Sequence, residues 1–181
     1  WEQLRQLKDY AEQKSFLTAC TPFDEYSVEK IIEHNFDIIK VASASMSDWG
    51  LLETVAQTNK PIVLSTAGSQ KSGLDRVYMF LKNRKKEFAF LHCVAEYPTP
   101  ANKLLLNRID ALKSRYTDIA IGFSTHEDPQ NYLAGSLAIS KGATILEKHF
   151  GSISNNQVKN DYSSDQKSLR DWCVSLQFAQ E

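Results

Sequence analysis

The chain of 181 residues is 42% hydrophobic, which is sufficient for one well-buried domain. Its 21 Lys and Arg residues nearly balance 22 Asp and Glu residues, and this net charge of −1 indicates neither a nucleic-acid-binding surface nor one for anionic membranes. No apolar run approaches the roughly 20 residues that span a bilayer, no signal peptide is visible, and three widely spaced cysteines form no CxxC motif, so a cytoplasmic protein without a disulfide framework or zinc knuckle is expected.

Short apolar runs, which predict strands, alternate along the chain with amphipathic segments, which predict helices. Asp24 and Asp48 stand where an acidic N-cap would start a helix, and Gly142 stands where a glycine would end one. A polar loop is predicted from about residue 152 to residue 163. Strands are predicted at residues 16–20, 37–42, 61–65, 87–94, 118–123 and 145–150. Helices are predicted at residues 1–14, 24–35, 74–84, 105–116 and 131–141, with others after Asp48 and from Ser164 or Asp165.

This alternation is the signature of a parallel α/β fold. No glycine-rich phosphate-binding motif follows a strand, which disfavours a nucleotide-binding doubly wound sheet. Polar residues stand instead at the ends of all the strands, which is typical of a (β/α)8 barrel. A complete barrel needs about 200 residues or more, and the chain opens on Trp1 rather than Met. We therefore predict a partial TIM barrel over residues 1–181, with about six βα units, its N-terminal strands missing, and further sequence belonging to a longer polypeptide.

Strand alternation assigns the polar residues to faces, because successive side chains of a strand point to opposite sides. In the strand at 145–150, Glu147 and His149 share one face and Lys148 takes the other. Ser124 and His126 share a face in the preceding strand. One choice of face per strand directs seven side chains into one mouth, namely Thr21, Lys40, Ser65, Ser124, His126, Glu147 and His149.

Two kinds of site are indicated by these side chains. The histidines at 126 and 149, with Glu147 two residues before the second, could hold a divalent ion between neighbouring strands. Either histidine alone could instead be a polar strand end bonded to backbone. Lys40 among serine and threonine hydroxyls suits an anion, because lysine supplies charge and hydroxyls add donors; the alternative for Lys40 is a side chain that snorkels from a strand end.

Six short motifs in order resemble the N-acetylneuraminate (sialic acid) synthase family, which includes legionaminate and pseudaminate synthases and spore-coat polysaccharide relatives. The resemblance covers nearly the whole chain, and it rests on the order of the motifs rather than on any one of them. The motifs are Thr21-Pro22-Phe23-Asp24, Lys40-Val41-Ala42-Ser43, Leu64-Ser65-Thr66, His92-Cys93-Val94 with Glu96-Tyr97-Pro98-Thr99-Pro100, Gly122-Phe123-Ser124-Thr125-His126, and Glu147-Lys148-His149-Phe150.

The resemblance implies a TIM barrel that condenses phosphoenolpyruvate with an N-acylated amino sugar such as N-acetylmannosamine, while water cleaves the C–O bond and phosphate leaves. It implies a divalent metal, Mn²⁺ or Mg²⁺, held by His126 and His149, which polarises the sugar aldehyde. It also implies a homodimer of the full-length protein, whose C-terminal antifreeze-like domain is absent here. By resemblance, phosphoenolpyruvate would be bound by Thr21, Lys40, Ser43, Ser65 and Ser124, Asp161 would also bind substrate, and Glu147, Tyr97 and Lys40 would be catalytic.

Three positions depart from the family's pattern, namely Ser45, Ala95 and Thr125. They leave the identity of the sugar open, and they leave two alternatives open as well. One is a degenerate, non-catalytic barrel that serves as a binding or assembly domain. The other is a Schiff-base aldolase that uses Lys40, which would need a lysine desolvated to a low pKa. The 181 residues alone are expected to be inactive.

Overall fold

A computed structural model describes residues 1–151 and 159–181. Within them, seven α-helices alternate with six β-strands. The strands are β1 Ala19–Cys20, β2 Ile38–Val41, β3 Ile62–Ser65, β4 Phe88–Cys93, β5 Ala120–Thr125 and β6 Leu146–Lys148. The helices are α1 Glu2–Gln13, α2 Glu25–Glu33, α3 Trp49–Gln57, α4 Lys71–Asn83, α5 Asn107–Arg115, α6 Leu133–Ser140 and α7 Gln166–Gln180. None of these described helices is both long enough and apolar enough to cross a membrane.

The strands form one parallel sheet in which their order is that of the sequence, from β1 to β6. A doubly wound sheet would reverse its strand order at a switch point, and no reversal occurs among the described strands. This order confirms the predicted fold class, a partial (β/α)8 barrel. The chain divides into two compact units, residues 1–89 and residues 90–181, which are described in turn.

In the first unit, β1, β2 and β3 pair in register, with Lys40 opposite Val63. The alternation of β2 is visible in its burial, because Ile39 and Val41 are fully buried whereas Lys40 between them is half buried. The predicted acidic N-caps are confirmed: the Asp24 carboxylate accepts from the backbone N–H of Ser27 at 2.6 Å. Asp48 caps α3 in the same way. These caps fix where the helices begin, and so where the strand-to-helix loops end.

In the second unit, β5 and β6 pair in register, with Ser124 opposite Glu147. Gly122 leaves no room for a side chain, since a Cβ there would collide with the carbonyl oxygen of Ile145 and with the Leu91 side chain. Gly142 ends the α6 turn with φ of +84°, as predicted for a residue after a helix. The two helices that follow β5 and β6 pack against each other.

Some predicted boundaries were wrong by a few residues. The first strand spans Ala19–Cys20 rather than 16–20, and the last spans Leu146–Lys148 rather than 145–150. Helix α4 starts one turn earlier than predicted, because Gln70 at its N-cap position makes no side-chain capping bond and so gives no sequence signal. Most of the predicted polar loop, residues 152–158, lies outside the described residues.

Candidate active site

The first unit brings together three of the predicted anion-binding residues at the ends of its strands. The Lys40 ammonium donates to the Ser65 hydroxyl at 2.7 Å, which places both side chains on one side of β2 and β3. The backbone N–H of Ala67 donates to the Ser43 hydroxyl at 3.1 Å, which holds that side chain toward the end of β3. Thr21 follows β1 directly and is half buried. A cation beside hydroxyl groups is suited to bind an oxyanion.

A cavity of about 320 Å³ opens beside Ser43 in the same unit. Its lining is largely polar and includes Ser47 and Ser69 as well as the side chain of Arg76 on α4. Arg76 is a cation that the sequence did not single out, because it lies on an exposed position of an amphipathic helix.

In the second unit, the Ser124 hydroxyl donates to the Glu147 carboxylate at 2.9 Å. The two residues stand opposite each other in the β5–β6 pairing, so their side chains share a face as strand alternation predicts. A carboxylate that accepts a hydroxyl bond has an oriented oxygen, and Glu147 is only half buried. Such a carboxylate can accept a proton from a substrate, or accept a hydrogen bond from a protonated group of the substrate.

The two histidines that end β5 and β6 lie next to each other, with ring centroids 5.0 Å apart. His126 is buried, whereas His149 is exposed. The Nδ1 atom of His126 lies 3.1 Å from the carbonyl oxygen of Val94. Since a carbonyl oxygen can only accept, this nitrogen carries the proton in the neutral ring.

This arrangement fits a divalent ion. A ligating imidazole commonly donates its other N–H to a backbone carbonyl, as His126 does. A metal–nitrogen bond is about 2.1 Å, so rings with this spacing can both reach one ion. Among residues 1–151 and 159–181, no group of three or more His, Cys, Asp or Glu side chains is placed to hold a metal.

Tyr97 packs on the first histidine, with its ring centroid 4.3 Å from that of His126. The loop that carries Tyr97 is tied to this histidine because the Thr99 N–H donates to the His126 carbonyl at 2.9 Å. Burial raises the pKa of the Tyr97 phenol, and Cys93, Tyr162 and Glu147 act in the same direction. The phenol therefore stays protonated at neutral pH and can donate a hydrogen bond.

Tyr162 is a site residue that the sequence did not reveal. Its ring stands edge-on to His149 at 5.0 Å and to His126 at 6.0 Å, and lies 5.2 Å from that of Tyr97. The chain is brought back there because Ser164 N–H donates to the His149 carbonyl at 2.8 Å. The only sequence signal was its position directly after Asp161, which itself is exposed.

Two strand-end residues face away from these groups. His92 near the end of β4 is fully buried: its Nε2–H donates to the Leu104 carbonyl at 2.8 Å and its ring stacks on Phe123. Phe123 alternates with Ser124, so His92 packs on the opposite side of the sheet. Lys148 faces away as predicted, and it forms an ion pair with Glu127.

Parallel strands with charged and hydroxyl side chains at their carboxyl ends are typical of barrel enzymes. Residues 1–179 match the family model described as the NeuB family, and the chain belongs to that family. It is 30% identical over 162 residues to the N-acetylneuraminate-9-phosphate synthase of Drosophila melanogaster, covering 89% of this chain and 43% of that protein. The chain thus spans less than half the length of that relative.

Similar solved structures support the same family assignment. A crystal structure assigned to spore coat polysaccharide biosynthesis protein E of Chromobacterium violaceum superposes with a TM-score of 0.96 at 43% identity, covering 98% of this chain and 53% of that one. The N-acetylneuraminic acid (sialic acid) synthetase of Leptospira borgpetersenii, solved with citrate, superposes with a TM-score of 0.90 at 27% identity, covering 99% of this chain and 62% of that one.

Proposed function

We propose that the protein containing these residues condenses phosphoenolpyruvate with an N-acylated amino sugar, giving a sialic-acid-type nonulosonate and phosphate. The observation that carries the proposal is the pairing of Ser124 with Glu147 and of His126 with His149 at adjacent strand ends, in a chain of the NeuB family. Named members of this similarity group are synthases of N-acetylneuraminate-9-phosphate, N,N′-diacetyllegionaminic acid and pseudaminic acid.

The first unit supplies the anion-binding part of the proposed site. Phosphoenolpyruvate carries a phosphate and a carboxylate, and Lys40 offers a positive charge beside the Ser65 hydroxyl. The hydroxyls of Ser43 and Thr21 add uncharged donors that do not compete for that lysine. These groups of the first unit suit a small molecule with two anionic groups. Ser124 is proposed as a further phosphoenolpyruvate-binding residue on the family resemblance.

The second unit supplies the groups that would meet the sugar and the reacting centre. Glu147 would hold the water that adds to phosphoenolpyruvate, and the protonated Tyr97 phenol would donate to the sugar. The His126 and His149 imidazoles would hold the divalent metal, Mn²⁺ or Mg²⁺, which when bound supplies Lewis-acid polarisation of the sugar aldehyde. The carboxylate of Asp161 would accept from sugar hydroxyls.

The reaction balances with water as the third reactant. A C–C bond forms between C3 of phosphoenolpyruvate and the sugar's aldehyde carbon, water adds oxygen at C2, and the C2–O bond to phosphate breaks. Phosphate leaves with the electron pair of that bond. One proton of the water ends on the aldehyde oxygen as it becomes a hydroxyl, and the other ends on the departing phosphate as C2 becomes a ketone. Holding two anionic groups and one water in place lowers the entropic part of the barrier.

The test is an assay of the native-length protein for phosphate release from phosphoenolpyruvate, with Mn²⁺ and a panel of N-acyl hexosamines. Release that depends on one sugar of the panel, with mass-spectrometric detection of a nonulosonate, is the expected result. Absence of release with every sugar and metal, from a folded protein, would favour the non-catalytic barrel. Borohydride trapping of a carbonyl substrate on Lys40 would instead favour the aldolase.

The setting of this reaction is part of the same proposal. We place the protein in the cytoplasm as a homodimer. None of Cys20, Cys93 and Cys173 forms a disulfide. Analytical ultracentrifugation of the native-length protein would test the dimer.

A further inference from the structure

A fully buried ion pair lies behind the two histidines of the second unit. The Lys148 ammonium is 2.8 Å from a carboxylate oxygen of Glu127, and each side chain is only 1% exposed. The Lys148 ammonium also lies 5.9 Å from the centre of the Trp172 ring on α7. By contrast, the pair between Lys141 and Asp110 is on the surface, with 29% and 51% of the side chains exposed.

Such a pair is a poor choice for stability alone. Removing two charges from water is costly, and well-packed apolar side chains of similar volume often stabilise a fold as well or better. Glu127 is also incompletely satisfied, because its second carboxylate oxygen is buried with no hydrogen-bond partner among the described residues. The pair therefore calls for an explanation other than its own contribution to folding.

The position of the pair supplies that explanation. Glu127 directly follows His126, and Lys148 directly precedes His149. Each member is thus one peptide unit from a histidine. Lys148, the last residue of β6, points away from the face of Glu147, and the ion pair shows that Glu127 reaches the same side as Lys148. The β5–β6 register sets Lys148 opposite Thr125, at the last paired position before both strands end.

The Glu127–Lys148 ion pair lies where the hydrogen bonds between β5 and β6 end. Beyond Thr125 and Lys148, the described β5–β6 ladder is over; the backbone of His126 is then bonded to Thr99 and that of His149 to Ser164, rather than to each other. The ion pair ties these two backbones together from behind, and the Trp172 ring lies against the ammonium. A change in this link would rotate or separate the histidines on the other face.

We propose that the Glu127–Lys148 ion pair is a positioning device that sets the separation and orientation of His126 and His149 for a divalent ion. The inference rests on the proposed function, since it takes these histidines as the metal ligands. Neither Glu127 nor Lys148 touches the ion. They act through the backbone of the residue next to each of them.

The test is a titration of the native-length protein with Mn²⁺ in the absence of substrate. Binding is measured through the electron paramagnetic resonance signal of the free ion. The variants are Glu127→Gln, Lys148→Met and the double substitution Glu127→Gln/Lys148→Met. Changes to groups that orient metal ligands commonly cost about 10- to 100-fold in metal affinity, so each variant is expected to bind Mn²⁺ about tenfold or more weakly. The double variant is expected to lose no more than the worse single variant, because both act on one link.

The double variant is included because it leaves no unpaired buried charge, so its folding is expected to be disturbed less than that of either single variant. Its folding is checked by its melting temperature and circular dichroism. Lys141→Met, which breaks the exposed pair with Asp110, is the matched control and should bind Mn²⁺ as the wild type does. A folded double variant with wild-type Mn²⁺ affinity would overturn the positioning role and reduce the pair to a folding contact.

Failure of the proposed function gives a different result. If the wild type binds no Mn²⁺, or binds it equally well after His126→Ala, the metal site is wrong and the positioning role falls with it. If Mn²⁺ binding behaves as expected but no phosphate is released with any sugar, the synthase proposal fails while the positioning role of the pair stands.

Discussion

Lys40 carries the sharpest prediction at the scale of single residues. Its ammonium donates to Ser65, and a charge-assisted hydrogen bond contributes about 1.5–3 kcal/mol. With about 1.4 kcal/mol for each factor of ten, Lys40→Ala should weaken phosphoenolpyruvate binding about ten- to a hundredfold. Calorimetric titration of the native-length protein measures this loss.

The control for that substitution has to be a lysine whose removal leaves the fold intact. Lys148 is a wrong choice, although it faces away from the site, because its loss would strand the buried Glu127 charge. Lys60 is suitable: it is in the same unit and makes an exposed hydrogen bond to Asn35 at 3.0 Å. Equal losses for Lys40→Ala and Lys60→Ala would contradict a specific role for Lys40.

Tyr162 carries a second prediction at this scale. Its ring packs edge-on against both histidine rings, and aromatic pairs contribute about 0.5–1.5 kcal/mol each beyond area burial. Tyr162→Ala should therefore weaken Mn²⁺ binding about two- to tenfold, because the exposed His149 loses its lateral support. Tyr162→Phe keeps the ring and should bind Mn²⁺ normally; a loss as large as that of alanine would assign the effect to the hydroxyl instead.

At the scale of elements, the β5–β6 pair depends on a missing side chain. A Cβ on Gly122 would collide with the Ile145 carbonyl and with Leu91. Overpacking of this kind costs about 1–3 kcal/mol, so Gly122→Ala should lower the free energy of unfolding by about that amount in urea titrations. Gly73→Ala is the matched control, since no atom lies within 4 Å of its added Cβ and alanine favours a helix by up to about 1 kcal/mol.

His92 in strand β4 makes the stability of the fold depend on pH. Burial lowers the pKa of His92, opposed by its hydrogen bond to Leu104 and reinforced by the charge of Arg108. As the pH falls, His92 of the unfolded chain becomes protonated near pH 6.5. His92 of the folded protein becomes protonated only at a lower pH. The stability that His92 contributes is therefore complete above about pH 6.5 and is lost as the pH falls from there toward the folded-state pKa.

Urea unfolding of the native-length protein at about pH 7.5 and about pH 5.5 measures this loss, which is at most about 1.4 kcal/mol per pH unit below the unfolded-state pKa. His92→Gln keeps a donor for the Leu104 carbonyl but cannot titrate. It should lose less stability than the wild type between the two pH values. Identical losses in the two proteins would show that other groups control the acid sensitivity.

At the scale of the whole molecule, periodic and local signals predicted most of the architecture. Alternation placed Glu147 with Ser124 and turned Lys148 away, and acidic caps located α2 and α3. Strand alternation predicts which face of the sheet a side chain lies on, but not which residue it contacts. The Glu127–Lys148 ion pair was therefore not predicted. Tyr162 was missed for a related reason: a loop has no period, and its contacts depend on where the chain returns.

The edges of the sheet lead to a prediction for the chain on its own. Strands β1 and β6 stand first and last in the strand order. Large apolar side chains are exposed just before β1 and on α7, with Leu17 at 76% and Phe178 at 81%. Open edges and exposed apolar surface favour association with other strands. The 181-residue polypeptide should therefore release no phosphate from phosphoenolpyruvate under conditions where the native-length protein does; comparable turnover by both would refute this.

Because side chains alternate along β6, substitutions at the neighbouring positions 147, 148 and 149 are expected to fall into different genetic classes. Single substitutions at Lys148 break a buried ion pair, so they are expected to lower the amount of protein that survives in the cell and also, through the adjacent histidine, the metal affinity of that protein. Substitutions at Glu147 and His149, on the opposite side of the backbone, are expected to leave the amount of protein unchanged. One position in this short segment thus gives a combined defect in abundance and metal binding, whereas its two neighbours give a stable but inactive product.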